Sequence, residues 1–127
     1  MRTYLIVAAS MAAGMVVGGF AVQALHAQAK PPIYYVAEID TAQLDTYMKD
    51  YAPKAQASIK AAGGKILAGG TAKSVEGDPP KARTVIQVWE SEEQIQKWRS
   101  SPEYKSAREI GDKIAKFRAF SLQGTPQ

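Results

Sequence analysis

The sequence contains no cysteine and only one histidine, His26, and these shortages remove whole classes of chemistry at the outset. Without thiols there is neither a disulfide framework nor a thiolate nucleophile, so packing alone must hold the fold. Beyond residue 29 there is no imidazole either. Ser-His-Asp and Cys-His relays, zinc sites of the usual ligands and His-ligated haem are therefore excluded from the rest of the chain, and no metal or cofactor is expected. Concentrated positive charge is also missing: the lysines between Lys49 and Lys116 are spread along the chain with acids between them. Nucleic-acid binding calls for a basic stripe with interleaved aromatics, so no such partner is expected. The Gly69-Gly70 pair has no Gly-Lys-Ser/Thr after it and makes no phosphate loop.

Long apolar runs are scarce as well, with one exception. After Arg2, residues 4–22 are uncharged and rich in Ala, Val, Met and Gly, and Ala27-Gln28-Ala29 has the small-x-small form of a cleavage site. Residues 1–29 read as a secretory signal peptide, which makes the protein periplasmic or secreted, with no membrane attachment after cleavage. The run approaches the ~20 residues that span a bilayer, so an uncleaved N-terminal anchor is the alternative. Removal of 29 residues leaves 98, with 15 basic and 12 acidic side chains and a net charge of +3. That is one domain, residues 30–127, large enough for a modest core without a staple.

What is present organises itself around residues 83–104. Arg83, Val85, Gln87 and Trp89 alternate with Thr84, Ile86 and Val88, the period of a strand with β-branched filling. Ser91 with Gln94 forms a capping box for a helix over 92–99. Ser101 followed by Pro102 ends that helix and opens another, reaching to about residue 113. Upstream, 33–39 alternates as a strand, and Asp40 with Gln43 reads as the cap of an amphipathic helix carrying Leu44, Tyr47, Met48, Tyr51, Ala55 and Ile59. Pro53 predicts a kink or restart near Ala52. Gly63-Gly64 gives the stop, 65–69 a short strand, 70–81 a hairpin-like connection, and 117–123 the last strand.

The order βαββαβ in under a hundred residues predicts an α+β, ferredoxin-like antiparallel sheet with its helices on one face. The other face would carry Tyr35 or Tyr34, Gln87 or Ile86, and Phe120, which is too apolar for water, so a homodimer is expected.

Candidate site residues follow from that layout. Arg83 heads a central strand, where a charge must pair or meet solvent. It either pairs with Glu76 across the hairpin or offers a fork to a carboxylate or enolate at the barrel mouth. Gln87 points into a cavity or makes a dimer-interface hydrogen bond. Trp89, Trp98 and Tyr104 supply stacking surface, or simply core. Glu38 and Asp40, two apart at a strand end, read as solvent and cap.

Gly63-Gly64 with Leu67 and Gly69-Gly70, Glu76-Gly77, Arg83 opening an apolar strand that ends at Ser91, then Trp98 and Ser101-Pro102-Glu103-Tyr104 resemble the bacterial family known as domain of unknown function thirteen-thirty. The resemblance spans residues 34–124 and implies the dimeric α+β barrel fold shared with antibiotic-biosynthesis monooxygenases and muconolactone isomerases. The family's usual arginine seven residues after the tyrosine is Gly111 here, and Arg108, one helical turn earlier, is the residue that would substitute. Three functions are expected: a domain binding a small apolar or aromatic acid in the barrel, a cofactor-independent isomerase or monooxygenase using Arg83 with Tyr104 or Glu76, or a purely structural dimer. The lack of histidine favours the first.

Overall fold

A computed structural model describes residues 30–126, so residues 1–29, expected to be a signal peptide or anchor, lie outside the described residues. Four strands, β1 (Ile33–Asp40), β2 (Lys65–Gly70), β3 (Arg83–Trp89) and β4 (Lys116–Gln123), form one antiparallel sheet in the order β2-β3-β1-β4. Three helices accompany it: α1 (Ala52–Ala61), α2 (Glu92–Ser100) and α3 (Pro102–Ile114). This is the ferredoxin-like α+β arrangement, and within one chain the sheet is open, with β2 and β4 as its edges. No described helix is long and apolar enough to cross a membrane.

Alternation decides which side chains meet the helices. Tyr35 and Ile39 of β1 and Val85, Gln87 and Trp89 of β3 are buried, packed with the helical residues Tyr51, Ala55, Ile59, Trp98 and Ala107. The registers Tyr34↔Val88, Val36↔Ile86 and Val36↔Phe120 put the intervening residues on the other face. Tyr34 and Ile86 thus take the face away from the helices, and Tyr35 and Gln87 the core. No described element covers that second face, and Phe120 and Leu122 are 43% and 50% exposed on it.

The helix before β2 differs from expectation at its start. Asp40 stays in β1, paired with Lys116, because strand pairing continues to that residue and holds it extended. Helix entry falls to Gln43, which makes no side-chain cap bond, while Thr41 Oγ1 accepts from the Gln43 N–H and donates to the Ile114 carbonyl. After a single turn, Leu44–Thr46, the chain widens into a π-helical turn, Tyr47–Tyr51, in which the Ala52 N–H reaches the Tyr47 carbonyl. Pro53 explains it. Lacking an N–H and clashing with the carbonyl four residues back, a proline breaks the i−4 ladder, and the wider turn just ahead of it takes up the mismatch. Pro53 then sits in the first turn of α1, where no N–H is needed. Pro53→Ala should therefore gain under ~1 kcal/mol in urea unfolding rather than the ~3 kcal/mol that relieving a mid-helix proline would give.

The remaining boundaries are capped as the residues suggest. Gly63, at φ +92°, ends α1: its N–H bonds the Lys60 carbonyl and that of Gly64 bonds Ile59. Ser91 Oγ accepts from the Gln94 N–H, Gln94 Oε1 accepts from the Glu90 N–H, and Gln94 Nε2 donates to the Ala62 carbonyl, tying α2 to the end of α1. Ser101 serves two helices, donating to Trp98 and accepting from the Tyr104 N–H.

Candidate functional site

Between the helices and the sheet lies a cavity of about 140 Å³. Its floor is Tyr35, Ala37 and Ile39 of β1 with Arg83, Val85 and Gln87 of β3; Tyr47, Tyr51, Ala55, Trp98, Tyr104 and Arg108 close it from the helical side. Gln56, Ile66 and Arg99, all exposed, stand at its rim. Not one aspartate or glutamate lines it. The cavity belongs to a single chain, between its own layers, and is not the mouth of a closed barrel.

Five residues singled out in the sequence, Arg83, Gln87, Trp98, Tyr104 and Arg108, converge there. Two do not. Glu76 is exposed in the connection between β2 and β3, and Arg83 makes no ion pair with it. The connection forms no paired strand, so nothing carries the carboxylate back to Arg83. Trp89 is core: its Nε1 donates to Gln87 Oε1 at 2.9 Å and its ring lies 5.2 Å from that of Trp98. Gln87 faces the helices, which rules out the dimer-interface hydrogen bond. With Oε1 engaged by Trp89, its amide nitrogen remains to donate into the cavity.

Arg83 is the most exceptional of the five. Its guanidinium lies 5.8 Å from the Tyr47 ring centre, and its buried Nε has no hydrogen-bond partner among the described residues. Gly69 on β2 makes room for it, since a Cβ there would stand 3.2 Å from Nη2. Arg108 is placed differently. It contacts Asp112 at 2.7 Å, donates to the Tyr104 hydroxyl at 3.1 Å and lies 4.1 Å from the Phe117 ring centre. At Gly111, where the resemblance leads to an arginine being expected, a Cβ would come within 2.8 Å of the Tyr51 ring and 3.0 Å of Phe117, so no side chain fits unless those rings move. Arg108 brings a guanidinium to the wall from one turn earlier.

The sequence reading missed Tyr35, Tyr47, Tyr51 and Arg99 as lining residues. Tyr47 and Tyr51, four apart, satisfy the spacing of an ordinary core face, and only the π turn beside Pro53 marks the place as unusual. Arg99 follows the inward Trp98 by one residue and had no signal; its Nη1 donates to the Tyr35 hydroxyl at 2.6 Å.

Burial pushes the phenols of Tyr35, Tyr47 and Tyr51 above the ordinary tyrosine value. The Tyr104 phenol adds to the rise, while Arg99 opposes it at Tyr35 and Arg83 at Tyr47. In the unfolded chain these phenols ionise near pH ~10. In the folded chain they hold their protons to higher pH, so their contribution to stability is intact below ~10 and is lost as pH rises toward the folded values. Urea midpoints should thus be flat from pH 7 to 9 and fall above about 10, less steeply in Tyr51→Phe.

The arrangement can bind an anion and can stack a ring. No three His, Cys, Asp or Glu side chains gather as a metal site among the described residues.

Among solved structures, the fold matches a protein of unknown function from Rhodopseudomonas palustris at 15% identity and TM-score 0.63, covering 84% of this chain and 93% of that one. SnoaB, a cofactor-independent oxygenase from Streptomyces nogalater, matches at 10% identity and TM-score 0.58, covering 76% and 96%. A protein of unknown function from Bacteroides fragilis, described as dimeric and ferredoxin-like, matches at 10% and TM-score 0.51, covering 72% and 95%. At these identities the likeness is one of fold. No curated protein matches the chain. The family model for the domain of unknown function DUF1330 matches residues 32–125, almost the whole of the folded domain, and the chain belongs to that family.

Proposed function

We propose that this domain binds a small aromatic or apolar acid, about one ring in size, in the cavity between its helices and its sheet. The observation that carries the reading is Arg83, a guanidinium with a buried, unpartnered Nε in a cavity that no carboxylate lines. A half-buried cation gains from a counter-charge, and a guanidinium fork suits a carboxylate in two-point contact. The volume fits a ring, since an apolar cavity of ~150 Å³ admits benzene. Trp98 and Tyr104, with centroids 4.2 Å apart, offer the ring a wall, and the Gln87 amide a donor. Calorimetric titration with benzoate and with neutral benzamide tests this. Benzoate should bind and benzamide at least tenfold more weakly; equal affinity would leave an apolar cavity without an anion site, and no benzoate binding would leave a purely structural role.

The enzymatic reading draws on the likeness to a cofactor-independent oxygenase. The lining residues count against it as proton-transfer chemistry. They include neither carboxylate nor imidazole, and Tyr35, Tyr47 and Tyr51 hold their protons more firmly than an ordinary tyrosine.

The same proposal includes a homodimer formed through the open face of the sheet, around Val36, Ile86, Phe120 and Leu122, a face too apolar to stay wet. The dimeric ferredoxin-like neighbour supports it. Light scattering at micromolar concentration should give twice the chain mass, falling to one in Phe120→Arg; a monomeric wild type would end the idea. Export rests on residues 1–29, and intact mass from the native host should show them removed; their retention would favour the anchor.

A further inference from the structure

Three guanidiniums reach the cavity, and two of them, Arg83 and Arg99, reach it from different ends. Arg83 stands on β3 opposite Ile39 of β1, whereas Arg99 is held by the hydroxyl of Tyr35, four residues earlier on the same strand. Four residues of strand span ~13 Å of backbone, and the Arg83 guanidinium leans part of the way back, since a Cβ on Gly69, which pairs with Val85, would stand 3.2 Å from its Nη2. Arg108 stands between the two: its guanidinium lies 4.1 Å from the ring centre of Phe117, which pairs with Ile39, and 5.8 Å from that of Tyr104, beside which Arg99 lies at 5.9 Å. The three differ in their counter-charges. Arg108 is paired with Asp112, but neither Arg83 nor Arg99 has an ion-pair partner among the described residues. Glu92, the acid nearest Arg99 in the outer groove that both line, is bound instead to the Ser121 hydroxyl at 2.6 Å. Two positive charges therefore face one ring-sized space from opposite ends, with aromatic and aliphatic side chains between them.

Resting on the anion-binding reading above, we infer that the ligand is two-ended: a ring or short apolar scaffold carrying two separated acidic groups, one taken by Arg83 and the other by Arg99. A monoanion satisfies one end only. The second acidic group would be recognised by Arg99, whose fork spends one donor on Tyr35 and keeps the others. The exposed position of Arg99 also makes it the charge that an entering ligand meets first.

The test compares benzene-1,3-dicarboxylate with its monomethyl ester, different by one charge and one methyl group, by calorimetry on the full domain. The dianion should bind at least tenfold more tightly than the ester. Arg99→Gln, on an exposed helix surface, and Arg83→Gln should each bring that ratio close to one, because either change leaves a single guanidinium end for both ligands. A ratio near one in the wild type, or one that survives Arg99→Gln, overturns the two-ended site and leaves the anion site standing. Failure of both ligands and of benzoate overturns the anion site, and this inference with it.

Discussion

Trp98→Ala is expected to remove about 3 to 5 kcal/mol of stability, among the largest losses from any single truncation in the domain. Trp98 is 2% exposed and its ring touches Tyr35 edge-on at 5.3 Å, Trp89 at 5.2 Å and Tyr104 at 4.2 Å. It joins sheet, helix α2 and helix α3 at one point, so alanine leaves a void that no single neighbour can fill. Against a total of ~5 to 15 kcal/mol for a domain of this size, the variant should sit near the edge of folding. Trp98→Phe separates packing from hydrogen bonding. It gives up the bond from Nε1 to Ser58 Oγ at 3.0 Å, yet Ser58 keeps its own bond to the Ala55 carbonyl. The cost should then stay below ~2 kcal/mol. Urea denaturation followed by far-ultraviolet circular dichroism measures both variants; a Phe variant as damaged as Ala would mean that the hydrogen bond, and not the volume, matters.

Arg83→Gln is expected to weaken benzoate binding by roughly 10- to 100-fold, the equivalent of the ~1.5 to 3 kcal/mol carried by a hydrogen-bonded charge. Stability should move the other way or not at all. A half-buried cation with no ion-pair partner among the described residues costs the fold some desolvation that glutamine does not, so the urea midpoint of the variant should equal or exceed that of the wild type. This opposition of signs separates a binding residue from a structural one. Had Arg83 paired with Glu76, its loss would have strained the fold and left binding alone.

Much of this domain was legible because its elements carry their own punctuation. The alternation over 83–89 and the Ser-Pro step at 101–102 depend on local chemistry, and β3 and α3 begin where those residues place them. Asp40 misled because strand pairing with Lys116, remote in sequence, keeps it extended against its preference for a cap. The cavity was legible by half. Arg83 and Gln87 drew attention as polar side chains at apolar positions, an anomaly a sequence can display. Tyr47 and Tyr51 obey the core periodicity, and nothing in spacing distinguishes a ring that fills a core from one that walls a space. Arg99 acquires its role through Tyr35, 64 residues away, and such a contact has no local trace. Gly111 is the converse: the missing arginine was visible, but its reason, the Tyr51 and Phe117 rings pressed against that backbone, was not.

The most direct test is a crystal of the domain grown with 4-bromobenzoate, with the bromine located by its anomalous signal. The account predicts a ring lying between the sheet and the helices beside Trp98 and Tyr104, its carboxylate against the guanidinium of Arg83. A bromine found only on the outer face of the sheet, or a cavity that stays free of the ring at saturating ligand, would contradict it.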